Sequence, residues 1–262
     1  MKKNRRFYKM DEKGFTLMEI MVATAIGLFL GTVMYKVVTA NSESITLQMR
    51  KAEIQQNLRA SIFVLETEIK RIGFNPMNLQ TVHAPGITHA DKASLSFQAD
   101  LNGNGRSFSV DDDYGTVVAY SGGNITLLTD PREVTTINLG SNDADGNGIA
   151  DSSTASLIRG NPGSLTIANN IEALNFVYLD RDGNVVNGTS AAMVYPVNAA
   201  LLSNIKKIQV TLVVRSSTTR QDYTNSHNYV NAQDQEILPA KDDGYDRTLL
   251  SKTIDCRNLG LL

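Results

Sequence analysis

Residues 15–35, FTLMEIMVATAIGLFLGTVMY, carry a single charge, Glu19. A helix of about 20 residues, rising ~1.5 Å per residue, spans the ~30 Å hydrocarbon core of a bilayer. A run that is apolar on every side folds as a helix in an apolar medium, and the rest of the chain must be built around it. The acid is the difficulty, because a charge in hydrocarbon costs about 2.5–3.5 kcal/mol even on the lenient insertion scales. Glu19 therefore needs a reason to be there.

The flanks set an orientation. Residues 1–14 hold six Lys/Arg against Asp11 and Glu12, a balance of +4. The whole chain stands at −2, so the remainder is −6. A basic flank before an apolar helix stays cytoplasmic while the rest is translocated. An acidic body argues against nucleic acid, which wants a basic face on the folded domain. A plain membrane anchor leaves Glu19 unexplained, although snorkelling or the helix dipole can tolerate a lone acid near a helix start. A secretory signal peptide would use Val38-Thr39-Ala40 as its cleavage site, but its apolar core should run only ~7–15 residues. The third reading uses the whole string Gly14-Phe15-Thr16-Leu17-Met18-Glu19 after a short basic leader.

That string resembles the prepilin motif of type IV pilins and of type II secretion pseudopilins. The resemblance implies that a prepilin peptidase cuts between Gly14 and Phe15 and methylates the new N-terminus at Phe15. It also implies that Glu19 faces the N-terminal amine of a neighbouring subunit as helices leave the membrane for a filament. A buried cation and a buried anion are each costly alone, and pairing offsets much of that cost. Only one axial offset brings the two charges together, so the acid also sets register.

Helical character continues past Tyr35, with no Gly or Pro until Gly73 and Pro76. Ile54, Leu58, Ile62, Leu65, Ile69 and Ile72 form one apolar stripe at helical spacing. Residues 16–72 as one helix would measure about 85 Å. A break near Thr39–Ser44 is the alternative, since Thr39, Asn41, Ser42 and Ser44 are weak helix formers. Gly73 is placed to end the helix, behind Lys70 and Arg71.

After Pro76 short apolar or alternating runs recur: SLSFQA, TVVAYS, NITLLT, EVTTINL and SLTIAN. IEALNFVYL-DRDG-NVVN reads as a hairpin around an Asp-Gly turn, and NIKKIQVTLVVRSS as the longest alternating strand. Residues 216–248 read as a long loop and LLSKTIDCRN as a last strand. Strands separated by turns rather than helices indicate an antiparallel sheet. The expected class is α+β: a leader over 1–14, a membrane half-helix over 15–35, an amphipathic half over 36–73 and a β-rich periplasmic head over 74–262.

The segments NLRASIFVLETEIKRIGFNP and IEALNFVYLDRDG and the terminal CRN resemble minor pilins of the PilW kind, akin to the J pseudopilins of type II secretion. Many pilins clip a C-terminal loop with a cysteine pair, whereas this chain has Cys256 alone. No intramolecular disulfide can form, and Cys256 reads as a small buried apolar residue.

Two loops invite calcium. DLNGNGRSFSVD sets Asp100, Asn102, Asn104 and Asp111 at loop positions 1, 3, 5 and 12, close to an EF-hand pattern. DADGNGIAD offers Asp143, Asp145, Asn147 and Asp151, a partial match. Both also read as ordinary turns, because Asp, Asn and Gly are turn formers. DRDG at 180–183 reads as a turn only.

Enzyme signatures are missing: His83, His89 and His227 lack zinc-ligand spacing, and no G-x-S-x-G, P-loop or G-x-G-x-x-G occurs. Neither catalysis nor a small-molecule substrate is expected. The resemblance implies a structural minor pilin in the complex that initiates or tips a type IV pilus. Its partners would be the prepilin peptidase, other minor and major pilins and an inner-membrane assembly platform. A J-type pseudopilin is the alternative, and a secreted binding protein with an ordinary signal peptide the third reading.

Overall fold

The computed structural model describes residues 14–76, 86–101, 118–121, 124–127, 134–151, 156–160 and 164–260. These form one long helix, fourteen strands and three short 3₁₀ turns. The helix, α1 (Leu17–Arg71), belongs to two compact units: its first part lies in the unit ending at Met49, its last turns in the unit Arg50–Leu262.

In the first unit α1 buries nothing. Leu17, Met18, Met21, Leu28, Phe29 and Met34 are all exposed. A helix with apolar side chains all round and no protein packed on them needs a solvent other than water. Its length and hydropathy are those of a membrane-crossing helix. The weak helix formers at 39–46 do not break it. The Thr39 hydroxyl donates to the Tyr35 carbonyl (3.1 Å), Ser42 to Val38 (2.9 Å) and Thr46 to Ser42 (2.9 Å). These three hydroxyls are spent on the turn before them, and the Ser44 hydroxyl accepts from the Gln48 side chain one turn on.

In the second unit the stripe predicted from spacing is the buried face: Ile54, Leu58, Ile62, Leu65, Ile69 and Ile72 are between 0% and 7% exposed. Gly73 ends the helix with φ +73°, and a Cβ there would lie 2.6 Å from Leu259 Cδ2. The Asn258 amide donates to the carbonyls of Lys70 (2.9 Å) and Ile72 (3.3 Å), satisfying the helix end from the far end of the chain.

The strands follow as β1 (Ile87–Ala90), β2 (Leu95–Gln98), β3 (Val118–Ser121), β4 (Asn124–Leu127), β5 (Val134–Asn138), β6 (Ser156–Gly160) and β7 (Ser164–Asn169). After them come β8 (Ile171–Leu179), β9 (Gly188–Thr189), β10 (Ala192–Met193), β11 (Lys207–Arg215), β12 (Tyr229–Val230), β13 (Glu236–Leu238) and β14 (Arg247–Asp255). All pairings are antiparallel. One sheet has the order β1-β2-β5-β6-β7, a second the order β14-β11-β8, and three two-stranded pairs complete the set.

Alternation assigns the faces of the second sheet. Leu174, Phe176 and Tyr178 of β8 join Ile208, Val210, Leu212 and Val214 of β11 in the core that holds the α1 stripe. Ala173 and Val213, pointing the other way, join Ile237 and Leu238 of the segment between β11 and β14. Every residue of β8 is therefore buried. Ion pairs flank the helix on both sides: Glu66 holds Lys252 of β14 and Lys70, and Glu68 holds Arg159 of β6 and Arg71.

The expected hairpin after β8 is only half there. Asp180 Oδ1 accepts from the amides of Asp182 and Asn184, forming the predicted turn. The return arm reaches β8 only through the Leu179–Val185 bridge and the Val186 amide on the Tyr178 carbonyl. The rest of that edge is occupied. Lys92 takes the Phe176 amide, Gly148 takes the Leu174 amide, and the Ala150 amide binds the Glu172 carbonyl. The 216–248 segment, expected to be loop, contains β12, β13 and the first residues of β14. Strands β1, β6, β9 and β10 are further additions to those read from sequence.

Candidate functional site

The N-terminal motif and the acidic loop carry the residues singled out by sequence. At the first, Gly14 has open space where a side chain would sit, and Phe15 is 84% exposed. Thr16 then caps α1. Its amide and its hydroxyl both donate to Glu19 Oε2, at 2.9 and 3.0 Å, while the Glu19 amide donates to Thr16 Oγ1 at 3.2 Å. This reciprocal capping box satisfies two donors at the helix start with one carboxylate. It also fixes the Glu19 carboxylate at the level of residue 16, one residue from the proposed new N-terminus. Thr16 was missed at sequence level, although its Thr-x-x-Glu spacing is the signature that finds such a box.

The acidic loop begins after the 3₁₀ turn Gly140–Asn142. Asp143, Asp145 and Asp151 bring carboxylate oxygens within 4.8 Å of one another. Most of the oxygens serve the loop itself. Asp143 Oδ2 accepts from the Gly148 amide, Asp151 Oδ2 from the Ala144 amide, and Asp145 Oδ2 from the Asn147 side chain. Asn147 Oδ1 accepts from the Ile149 amide. Asp143 Oδ1 is buried with no hydrogen-bond partner among the described residues. Burial first, then the Asp145 carboxyl beside it, pushes the Asp143 carboxyl above its ordinary range. Three carboxylates so close can share a proton or a hard cation.

The same loop has a structural duty. Through Gly148, Ile149 and Ala150 it pairs with the outer edge of β8, and a Cβ on Gly148 would collide with the Leu174 carbonyl oxygen. In the other candidate loop, Asp100 is buried and its amide donates to the Phe74 carbonyl at 2.8 Å. Asn102, Asn104 and Asp111 lie outside the described residues. Cys256 is buried in the main core, and desolvation pushes its thiol up to about 12. It is inert packing, as its context in the sequence suggested.

Residues 9–35 match the prokaryotic N-terminal methylation motif, and residues 141–258 match the type IV pilus-assembly protein W family, PilW. Both ends of the chain thus point the same way. The chain is similar to type IV pilins at its N-terminus and to PilW over 141–258.

The PilW match takes in the acidic loop and the whole β8–β11–β14 sheet of this chain. No curated relative matches it by sequence. Among solved structures it is similar to a type IV-like pilin from Thermus thermophilus, at 12% identity and a TM-score of 0.43. That match covers 78% of this chain and 96% of that one. The architecture itself is α+β, a long N-terminal helix, apolar in its first half, with antiparallel sheets.

Proposed function

We propose that this chain is a minor pilin, a structural subunit of the complex that initiates or tips a type IV pilus. It is inserted with residues 1–14 cytoplasmic and the β-rich unit periplasmic, then cut between Gly14 and Phe15 by a prepilin peptidase. The observation that carries the reading is the capped carboxylate at the start of a bare apolar helix. Cleavage creates an α-amino cation at Phe15, and a neighbouring subunit's Glu19 is the group that offsets it in hydrocarbon. The partners are other minor and major pilins and the inner-membrane assembly platform. The role is assembly rather than catalysis.

The test separates processing from assembly. Intact-mass measurement of the mature protein should give an N-terminus at methylated Phe15. Glu19→Gln should leave insertion and processing intact and lower incorporation into pili at least tenfold. A variant that is processed and assembled like the parent would reduce Glu19 to a tolerated passenger.

A further inference from the structure

Between β11 and β14 the chain makes an excursion, residues 216–246, whose two ends are neighbours: Arg215 pairs with Arg247 in the sheet. Its own secondary structure is slight, the short β12–β13 pair and a single bridge between Asn225 and Asp243. It lies over the side of the β8–β11–β14 sheet that α1 does not cover. Ile237 and Leu238 meet Ala173 and Val213 there, and the Asn231 side chain donates to buried Asn175 Oδ1 at 3.0 Å.

One side chain ties this excursion to the sheet by charge. Arg247, at the first residue of β14, is 1% exposed. Its Nε and Nη2 donate to Glu172 of β8 at 2.5 and 2.9 Å. Its Nη1 and Nη2 donate to the two oxygens of Asp243, in the excursion, at 2.6 and 2.7 Å. Tyr245 stacks under Arg215 at 4.4 Å, and Asn225 holds the Tyr245 carbonyl and the Tyr229 hydroxyl at 3.2 and 3.0 Å. Among the described residues the apolar cluster beneath the excursion has four buried members, against twenty-five in the main core. The excursion's other side-chain ties are single hydrogen bonds: Asn231 to Asn175, Gln235 to the Ser190 carbonyl, and Ser217 and Thr218 to Glu53 and Arg50 of α1. A segment with paired ends, few apolar contacts and one buried ion pair among such single bonds is built to open locally without disturbing the sheet it leaves.

We propose that residues 216–246 are a strap that opens as one unit, and that the Arg247–Asp243 pair is its latch. Opening bares Ala173, Asn175, Thr211 and Val213, a mixed polar and apolar strip otherwise shut from water. The Arg247–Glu172 pair stays closed in the open state, so the cation is not left alone in the sheet.

Asp243→Asn is the discriminating variant, because Arg247→Gln would also strip Glu172 of its cation. Hydrogen–deuterium exchange of the full chain in detergent micelles should show strap amides exchanging roughly 10- to 100-fold faster, the size expected on weakening a charge-assisted pair. Amides of β8 and β11 should keep their parental rates. Strap exchange at the parental rate would overturn the latch. Strap and sheet accelerating together would overturn the independent strap.

Discussion

At the scale of single residues, Thr16 and Gly148 show what side-chain identity decides. Thr16 lends its hydroxyl twice, as donor to Glu19 Oε2 and as acceptor from the Glu19 amide. Thr16→Val keeps the shape and removes both bonds, at a cost of about 0.5–2 kcal/mol to the helix start. The expected outcome is faster amide exchange over residues 17–20 with α1 otherwise unchanged. Gly148 has φ +85° and sits against the Leu174 carbonyl. Gly148→Ala should therefore lower the thermal midpoint more than Gly146→Ala, whose added Cβ would meet open space. Melting curves of the two variants check this. The same curves in calcium and in chelator bear on the acidic loop: a bound cation raises the midpoint, and Asp145→Asn abolishes that rise. Identical curves leave the loop as a turn docked on β8.

Among elements, α1 was the most legible, since its stripe from Ile54 to Ile72 repeats at a period nothing else produces. Leu65→Ala removes a fully buried member and should cost about 2–5 kcal/mol, read by chemical denaturation. Strands β8 and β11 were legible from their length and β-branched content. The return arm after Asp180 was misread because partners far along the chain, Lys92 and Gly148–Ala150, had taken the edge it would have used. No local pattern carries that competition. The strap was read as loop because its anchor, Arg247, belongs to the next strand and its partner Glu172 lies 75 residues earlier. The strap also has a pH sign. Arg247 hydrogen bonds hold the Asp243 carboxyl below the usual carboxylate range, with burial opposing. That stabilisation is complete above the unfolded value of about 3.9 and is lost as pH falls through the lower folded one. Around this carboxyl are Arg247 of β14, the Tyr245 amide and Arg215 of β11, and Glu172 of β8 shares the Arg247 guanidinium with it. The strap's protection factors, exchange normalised to the intrinsic amide rate at each pH, should fall below about pH 4 and stay flat from 5 to 8.

For the whole molecule, the chain holds a β-rich unit together without a covalent clip. Its one thiol is buried and pushed up to about 12, so reductant should leave the melting midpoint where it is. The patchwork along β8 has a different consequence. That strand offers nine residues rich in aliphatic and aromatic side chains, the sort of segment that seeds edge-to-edge growth of aggregates. Three separate pieces of chain, around Lys92, Gly148–Ala150 and Val185–Val186, each claim part of its outer edge. A stranger strand would have to displace all three before it found a template of useful length. The β-rich unit is thereby kept from polymerising through its most apolar strand.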